Sequence, residues 1–134
     1  MRHDAAGFER VPVNRSFGFR LVACESGTAT VEMEVRPEHL QEEGVLHGGI
    51  LTTLADTAAV YALLPDLAAD RAMTSIEFKM NFLRPAKVGS GVLQATSRIV
   101  RRGRTIAVCD VDVHQAAVQI ATGTFTYLSL DPRT

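Results

Sequence analysis

One stretch limits what this chain can fold into more than any other: Leu46 to Pro65, LHGGILTTLADTAAVYALLP. No Gly or Pro interrupts it from Ile50 to Leu64, and Pro65 marks its end, so it reads as one helix. The body is apolar or small nearly all the way round, which suits a helix buried on most faces. Its start is unusual, because His47-Gly48-Gly49 are poor helix formers. Glycines there let another group approach the backbone closely and present N–H groups at the positive end of the helix dipole. Within the body sits a single ionisable group, Asp56. Burying a carboxylate costs several kcal/mol unless it is partnered, so its presence needs a reason.

The rest of the chain reads as strands. Residues 1–14 form an extension with weak signals: a helical turn around Phe8, then an irregular approach broken by Pro12. Phe17 to Ala23 and Thr28 to Val35 alternate with period two around Ser26-Gly27, which predicts a hairpin. Arg36 to Leu46 is a polar loop that delivers the chain to the helix. Beyond it, Thr74 to Leu83 alternates, with Ile76, Phe78, Met80 and Phe82 on one face. Strands from Gly91 to Arg101, Arg104 to His114 and Val118 to Leu128 follow, joined by short turns, and the tail from Asp131 is polar. Short turns imply antiparallel neighbours, and an antiparallel sheet with one apolar helix curls round that helix. The expectation is one α+β domain over residues 1–134, with 129–134 as a tail. Open sheet edges point to a homodimer.

Composition adds exclusions. Apolar residues make up 46% and charged residues 22%, with a net charge of -1, which argues against a nucleic-acid protein. The apolar runs read as too short and interrupted to span a bilayer, and no leader opens the chain, so a cytoplasmic location with no membrane partner is expected. Cys24 and Cys109 lack metal-ligand spacing and read as buried free thiols. From Arg71 to Arg104 basic residues outnumber the one acid, Glu77. That strip suits a small polyanion better than a long nucleic acid, although composition alone favours a solvated sheet face.

Gln41, the His47-Gly48-Gly49 helix start, Asp56 nine residues after the histidine, Ser75 and Asn81-Phe82-Leu83-Arg84-Pro85-Ala86 together resemble the hot-dog-fold acyl-CoA thioesterases, in the PaaI-like and 4-hydroxybenzoyl-CoA thioesterase group. The resemblance implies a hot-dog fold, with a six-stranded antiparallel sheet wrapped round one central helix. It also implies a homodimer that pairs further into a homotetramer, an acyl-CoA substrate, and a hydrolase with no metal and no cofactor beyond the coenzyme A of its substrate.

The resemblance assigns roles. Asp56 is the nucleophile, forming a mixed anhydride, or the general base that activates water; the sequence leaves both open. The Gly48 N–H polarises the carbonyl, with the helix dipole behind it. Eight positions separate the two, about 12 Å of helix, so one carbonyl is not served by both within a chain. Two antiparallel helices across a two-fold axis bring them together. Gln41 polarises the thioester or holds water, or is a plain loop residue. His47 lies near the leaving thiolate or caps the turn. Ser75 supports the aspartate or the water. Arg84, Arg101, Arg102 and Arg104, with Thr105 and Lys87 beside them, are candidates for the coenzyme A phosphates. Gly49, Asn81, Val60, Tyr61, Leu64 and Phe82 complete the substrate-binding set. The rivals are a hot-dog dehydratase or hydratase, disfavoured because His47 sits at the helix start, and a non-catalytic acyl-CoA-binding domain.

Overall fold

The computed structural model describes residues 4–130. In chain order these form α1 (Ala5–Arg10), α2 (Pro12–Phe17), β1 (Arg20–Glu25), β2 (Thr28–Met33), α3 (Gly48–Leu63), β3 (Ala72–Phe82), β4 (Leu93–Arg102), β5 (Ile106–Gln115) and β6 (Val118–Leu130). The strands make one antiparallel sheet in the order β1-β2-β4-β5-β6-β3. It curls round α3, which packs mainly on β2 and β4. This is the α+β arrangement that the sequence predicts.

The helix and sheet meet through small residues. Ala55, Ala58, Ala59 and Ala62 of α3 are fully buried, as are Val31, Leu93, Ala95 and Val111 of the strands facing them. Such close contact lets strand side chains reach the helix backbone. Ser97 Oγ donates to the Ala58 carbonyl at 2.6 Å, and Arg102 Nη2 donates to the Leu63 carbonyl at 2.8 Å. The buried Ser97 hydroxyl is thereby satisfied, which a core serine requires.

Four details differ from the sequence reading. Pro12 does not break the N-terminal segment; it occupies the first turn of α2, where its missing N–H is no loss. Phe17 belongs to α2 rather than to a strand, and Gly18, at φ 70°, caps that helix so that β1 begins only at Arg20. The helical run Gly48–Asp66 is long and apolar enough to cross a bilayer, contrary to the expectation, yet its alanine face is packed inside the sheet. Strand β6 runs on to Leu130, and the tail from Asp131 lies outside the described residues.

Strand β3 departs most. A bulge between Ser75 and Glu77 interrupts its register with β6, and Ile76, Phe78 and Phe82 are about half exposed instead of forming core. The strand is an edge, and α3 leans toward the other side of the sheet. Phe78 stacks on the buried Phe125, with ring centroids 5.4 Å apart, and offers its other face to solvent.

Both cysteines are free thiols. Cys109 is fully buried, whereas Cys24 is only half buried and donates to the Tyr61 carbonyl at 3.3 Å. Burial pushes the Cys109 thiol up to about 11, against 9.0 for an ordinary thiol. The unfolded chain therefore loses this proton first, so the stability Cys109 contributes is whole below pH 9 and is lost as pH rises toward about 11. Thermal melts across that interval should fall less steeply for Cys109→Ala than for the parent protein; equal slopes would refute this account.

Candidate active site

The start of α3 is held by its own sequence. His47 is the N-cap, its Nδ1 accepting the Gly49 N–H at 2.9 Å. The Ile50 and Leu51 N–H groups both donate to the His47 carbonyl. Of the four amides that a helix start leaves over, only the Gly48 N–H has no acceptor among the described residues. It lies in a cleft with Gln41, Leu51, Phe82, Arg84 and Pro85. The loop before it is pinned by Leu46 N–H to the Ala86 carbonyl and His47 N–H to the His39 carbonyl, both 2.9 Å. A Cβ on Gly48 would stand 3.2 Å from the Phe82 ring, so a side chain there meets the wall of the cleft.

Asp56 lies two turns further on, half buried. Gly49, Thr52, Thr53 and Asp56 form an open stripe of α3 that shares a shallow groove with Phe78. The threonines do not serve the carboxylate, because Thr52 and Thr53 donate back to the carbonyls of Gly48 and Gly49. The group that does is Tyr127 of β6, whose hydroxyl donates to Asp56 Oδ1 at 2.5 Å. Burial, and then the charge of Asp56, pushes the Tyr127 hydroxyl far above the ordinary tyrosine range, so it stays a donor at any working pH. One carboxylate oxygen is thus anchored, and the other accepts no hydrogen bond among the described residues.

A second cleft leads from this pair toward the end of α3. Val60 and Tyr61 of the helix and Leu64 just past its end line one side and Met73 and Ser75 of β3 the other, with Tyr127 also in the lining. Gly7, Arg10 and Val11 close over it from the N-terminal segment, which is held there by Phe8 edge-on against Tyr61 at 4.8 Å.

The structure sorts the predicted residues to two ends of the helix. Gln41, Gly48, Gly49, Phe82 and Arg84 gather at its start, where Gln41 Oε1 accepts from the Glu43 N–H and Arg84 Nη1 donates to the Gln119 carbonyl at 2.8 Å. Val60, Tyr61, Leu64 and Ser75 gather beyond Asp56; Phe82, expected in the same slot, is at the opposite end. Arg102, Arg104 and Thr105 border a cavity past the end of α3, with Arg102 already engaged on Leu63, and Arg101 is exposed in the same hairpin. Asn81 is not brought to the site; it lies beside Lys79, Arg98 and Asp112, in a separate polar hollow. His47 has a capping role in plain view, its Nδ1 taken by the helix start. Sequence reasoning missed Tyr127 and Arg71. A tyrosine at an inward strand position needs a partner for its hydroxyl, and that signal was available. Among the described residues no group of three or more His, Cys, Asp or Glu is placed to hold a metal ion.

Comparison with known proteins gives the family. The family model of the thioesterase superfamily matches residues 43–121, from just before the helix start into β6. The human acyl-coenzyme A thioesterase 13 is 33% identical over 115 residues, covering 84% of this chain and 76% of the relative. The acyl-coenzyme A thioesterase PaaI of Escherichia coli is 32% identical over 109 residues, covering 81% and 74%. The crystal structure of a thioesterase family protein from Silicibacter pomeroyi superposes with a TM-score of 0.86 at 30% identity, covering 97% of each chain. A long helix opening on His-Gly-Gly, an anchored carboxylate two turns along it and this match over most of the chain place the protein in the thioesterase superfamily, as a thioester hydrolase of the hot-dog fold.

Proposed function

We propose that this protein hydrolyses an acyl-coenzyme A thioester at a site shared between two copies of the chain. The observation that carries the proposal is the pairing on one helix of an unused amide at Gly48 with an anchored, half-open carboxylate at Asp56. A thioester carbonyl needs a donor for the charge that develops on its oxygen and a carboxylate at its carbon. Eight residues separate the two, about 12 Å at the rise of an α-helix, so a single chain does not present both to one carbonyl. The edge strand supports the remedy. β3 has 11 residues, pairs among the described residues only on its β6 side and exposes Ile76, Phe78 and Phe82. Pairing β3 with its copy about a two-fold axis covers that edge and lays the two open stripes of α3 side by side, Gly48 of one opposite Asp56 of the other.

In that site the carbonyl oxygen accepts from Gly48, and Asp56 either draws a proton from water as the water attacks or attacks the carbon itself. Both routes pass through a tetrahedral oxyanion whose collapse expels the coenzyme A thiolate, which then takes up a proton; on the second route water next hydrolyses the acyl–Asp56 anhydride, releasing the acid and restoring the carboxylate. Tyr127 positions the carboxylate in either case. The acyl group lies along Val60 and Leu64, beyond Asp56. Support for coenzyme A as the carrier comes from the named activities of the relatives.

Three measurements test this. Thiol release from a panel of aryl-acyl, aryl-acetyl and aliphatic coenzyme A thioesters should fall by about a hundredfold or more in Asp56→Asn, with secondary structure intact; undiminished release would overturn the assignment of Asp56. Tyr127→Phe should lower kcat by about tenfold to a hundredfold, with KM changed far less, because the carboxylate loses its orientation. Mixing unfolded Asp56→Asn and Gly48→Val chains and refolding them together should restore about a quarter of the parent activity, since half the dimers then carry one intact site. Recovery of none would mean that one chain holds the whole site.

A further inference from the structure

We infer that the cleft beyond Asp56 takes an acyl group ending in a carboxylate, and that Arg71 reads that carboxylate. The inference rests on the thioesterase reading above and names the class of acyl group. The cleft runs away from the reacting carbonyl. Val60 and Leu64 follow Asp56 at successive turns of α3, Met73 and Ser75 oppose them, and Tyr127 joins the two sites, its hydroxyl on Asp56 and its ring in the cleft. From Asp56 to Leu64 is about 12 Å of helix. Past Leu64 the lining passes to Leu67 and Arg71. A medium-length acyl tail therefore follows an apolar wall and ends at a guanidinium.

Arg71 is prepared for an anion in a way the other arginines are not. It is half buried, and no carboxylate lies within ion-pair distance of it among the described residues. The other half-buried arginine, Arg36, has Glu38 at 3.9 Å. Arg71 Nε donates to Ser129 Oγ at 3.1 Å and Nη2 donates to the Ser129 carbonyl at 2.6 Å. These bonds occupy one edge of the planar group and hold it still. The remaining edge, Nη1 with the second hydrogen of Nη2, is a pair of parallel donors of the spacing that a carboxylate accepts. Arg10 lines the same cleft and adds charge of the same sign. Asp66 and Asp70, the neighbours of Arg71 in the adjoining cavity and in the chain, do not quench it. Asp66, in the adjoining cavity, is engaged by the Ser26 hydroxyl, and Asp70 is exposed in the connector. A plain alkyl end would press methyl groups on a charged fork and leave it unpaired, which a polar site resists.

The test uses two matched series: the coenzyme A monothioesters of hexanedioic, octanedioic and decanedioic acid, and hexanoyl-, octanoyl- and decanoyl-coenzyme A. Turnover is followed by thiol release with the parent protein. Binding is followed calorimetrically with Asp56→Asn, which reads the preference whether or not the thioester is cleaved. At one chain length at least, the diacid thioester should be favoured by about tenfold or more, as a charge-assisted pair at a half-open site supplies. Arg71→Leu should shift the ratio of the two series by a similar factor toward the plain chain, and Arg71→Lys, which keeps the charge without the fork, should fall between. If Arg71→Leu does not fold, Leu67→Glu, which sets a competing carboxylate beside the guanidinium, should erase the preference. Equal or tighter binding of the plain series by the Asp56→Asn protein overturns the inference. So does an equal loss for both series in Arg71→Leu, which would assign Arg71 to the coenzyme A phosphates. A binding preference for the diacids without turnover of any thioester would uphold it and overturn the hydrolase reading instead.

Discussion

The close approach of α3 to the sheet is the constraint on which the rest of this protein depends. Four alanines, at 55, 58, 59 and 62, are fully buried at that contact. Larger residues there would force the layers apart, at about 1–3 kcal/mol each for overpacking. They would also break the contacts between layers, because Ser97, Cys24 and Arg102 now reach the carbonyls of Ala58, Tyr61 and Leu63. These contacts fix the rotation of the helix as well as its distance. With the alanine face locked inward, Gly49, Thr52, Thr53 and Asp56 must face outward. The open stripe that carries Asp56 is what remains when packing has claimed the other side.

That stripe shows how a carboxylate is kept usable inside a largely apolar element. Asp56 is half buried, and the threonines that flank it turn their hydroxyls to backbone carbonyls four residues earlier. Among the described residues only Tyr127 serves it, and only at one oxygen. A fully paired carboxylate would be more comfortable and less reactive; an unpaired one would wander among rotamers. One strong bond from a buried tyrosine fixes the direction and leaves the second oxygen open. The same economy holds at the helix start, where the His47 cap satisfies Gly49 and leaves Gly48 over.

Much of this was legible before any coordinates. The uninterrupted run from Ile50 to Leu64 and the period-two strands point to a sheet round one helix, and His47-Gly48-Gly49 with Asp56 carries the resemblance on which the proposed chemistry rests. Tyr127 was not singled out, because its partner is 71 residues away and only the fold brings the two together. Arg71 was read as one more charge in a basic strip, although its fastening to Ser129 spans 58 residues. Asn81 shows the converse. It belongs to the motif-bearing stretch before Pro85, but the strand turns it into a polar hollow away from Asp56. Ile76, Phe78 and Phe82 had the pattern of a core face and lie open, since apolar alternation says that a face will be covered without saying by what.

That uncovered face connects stability to catalysis. A long edge strand bearing half-exposed aromatics is a liability for a lone chain, since it invites uncontrolled pairing. In the proposed dimer one contact removes the liability and completes the chemistry, because the helix stripe that carries Asp56 borders the same groove as Phe78. The amide and the carboxylate are fixed at two points of a rigid rod, too far apart to converge on one atom. Bending the rod would break the alanine contact that orients it, whereas laying a second rod antiparallel beside it solves the distance at no cost to either fold. On this reasoning, the helix that builds the core is also the reason the proposed site takes two chains.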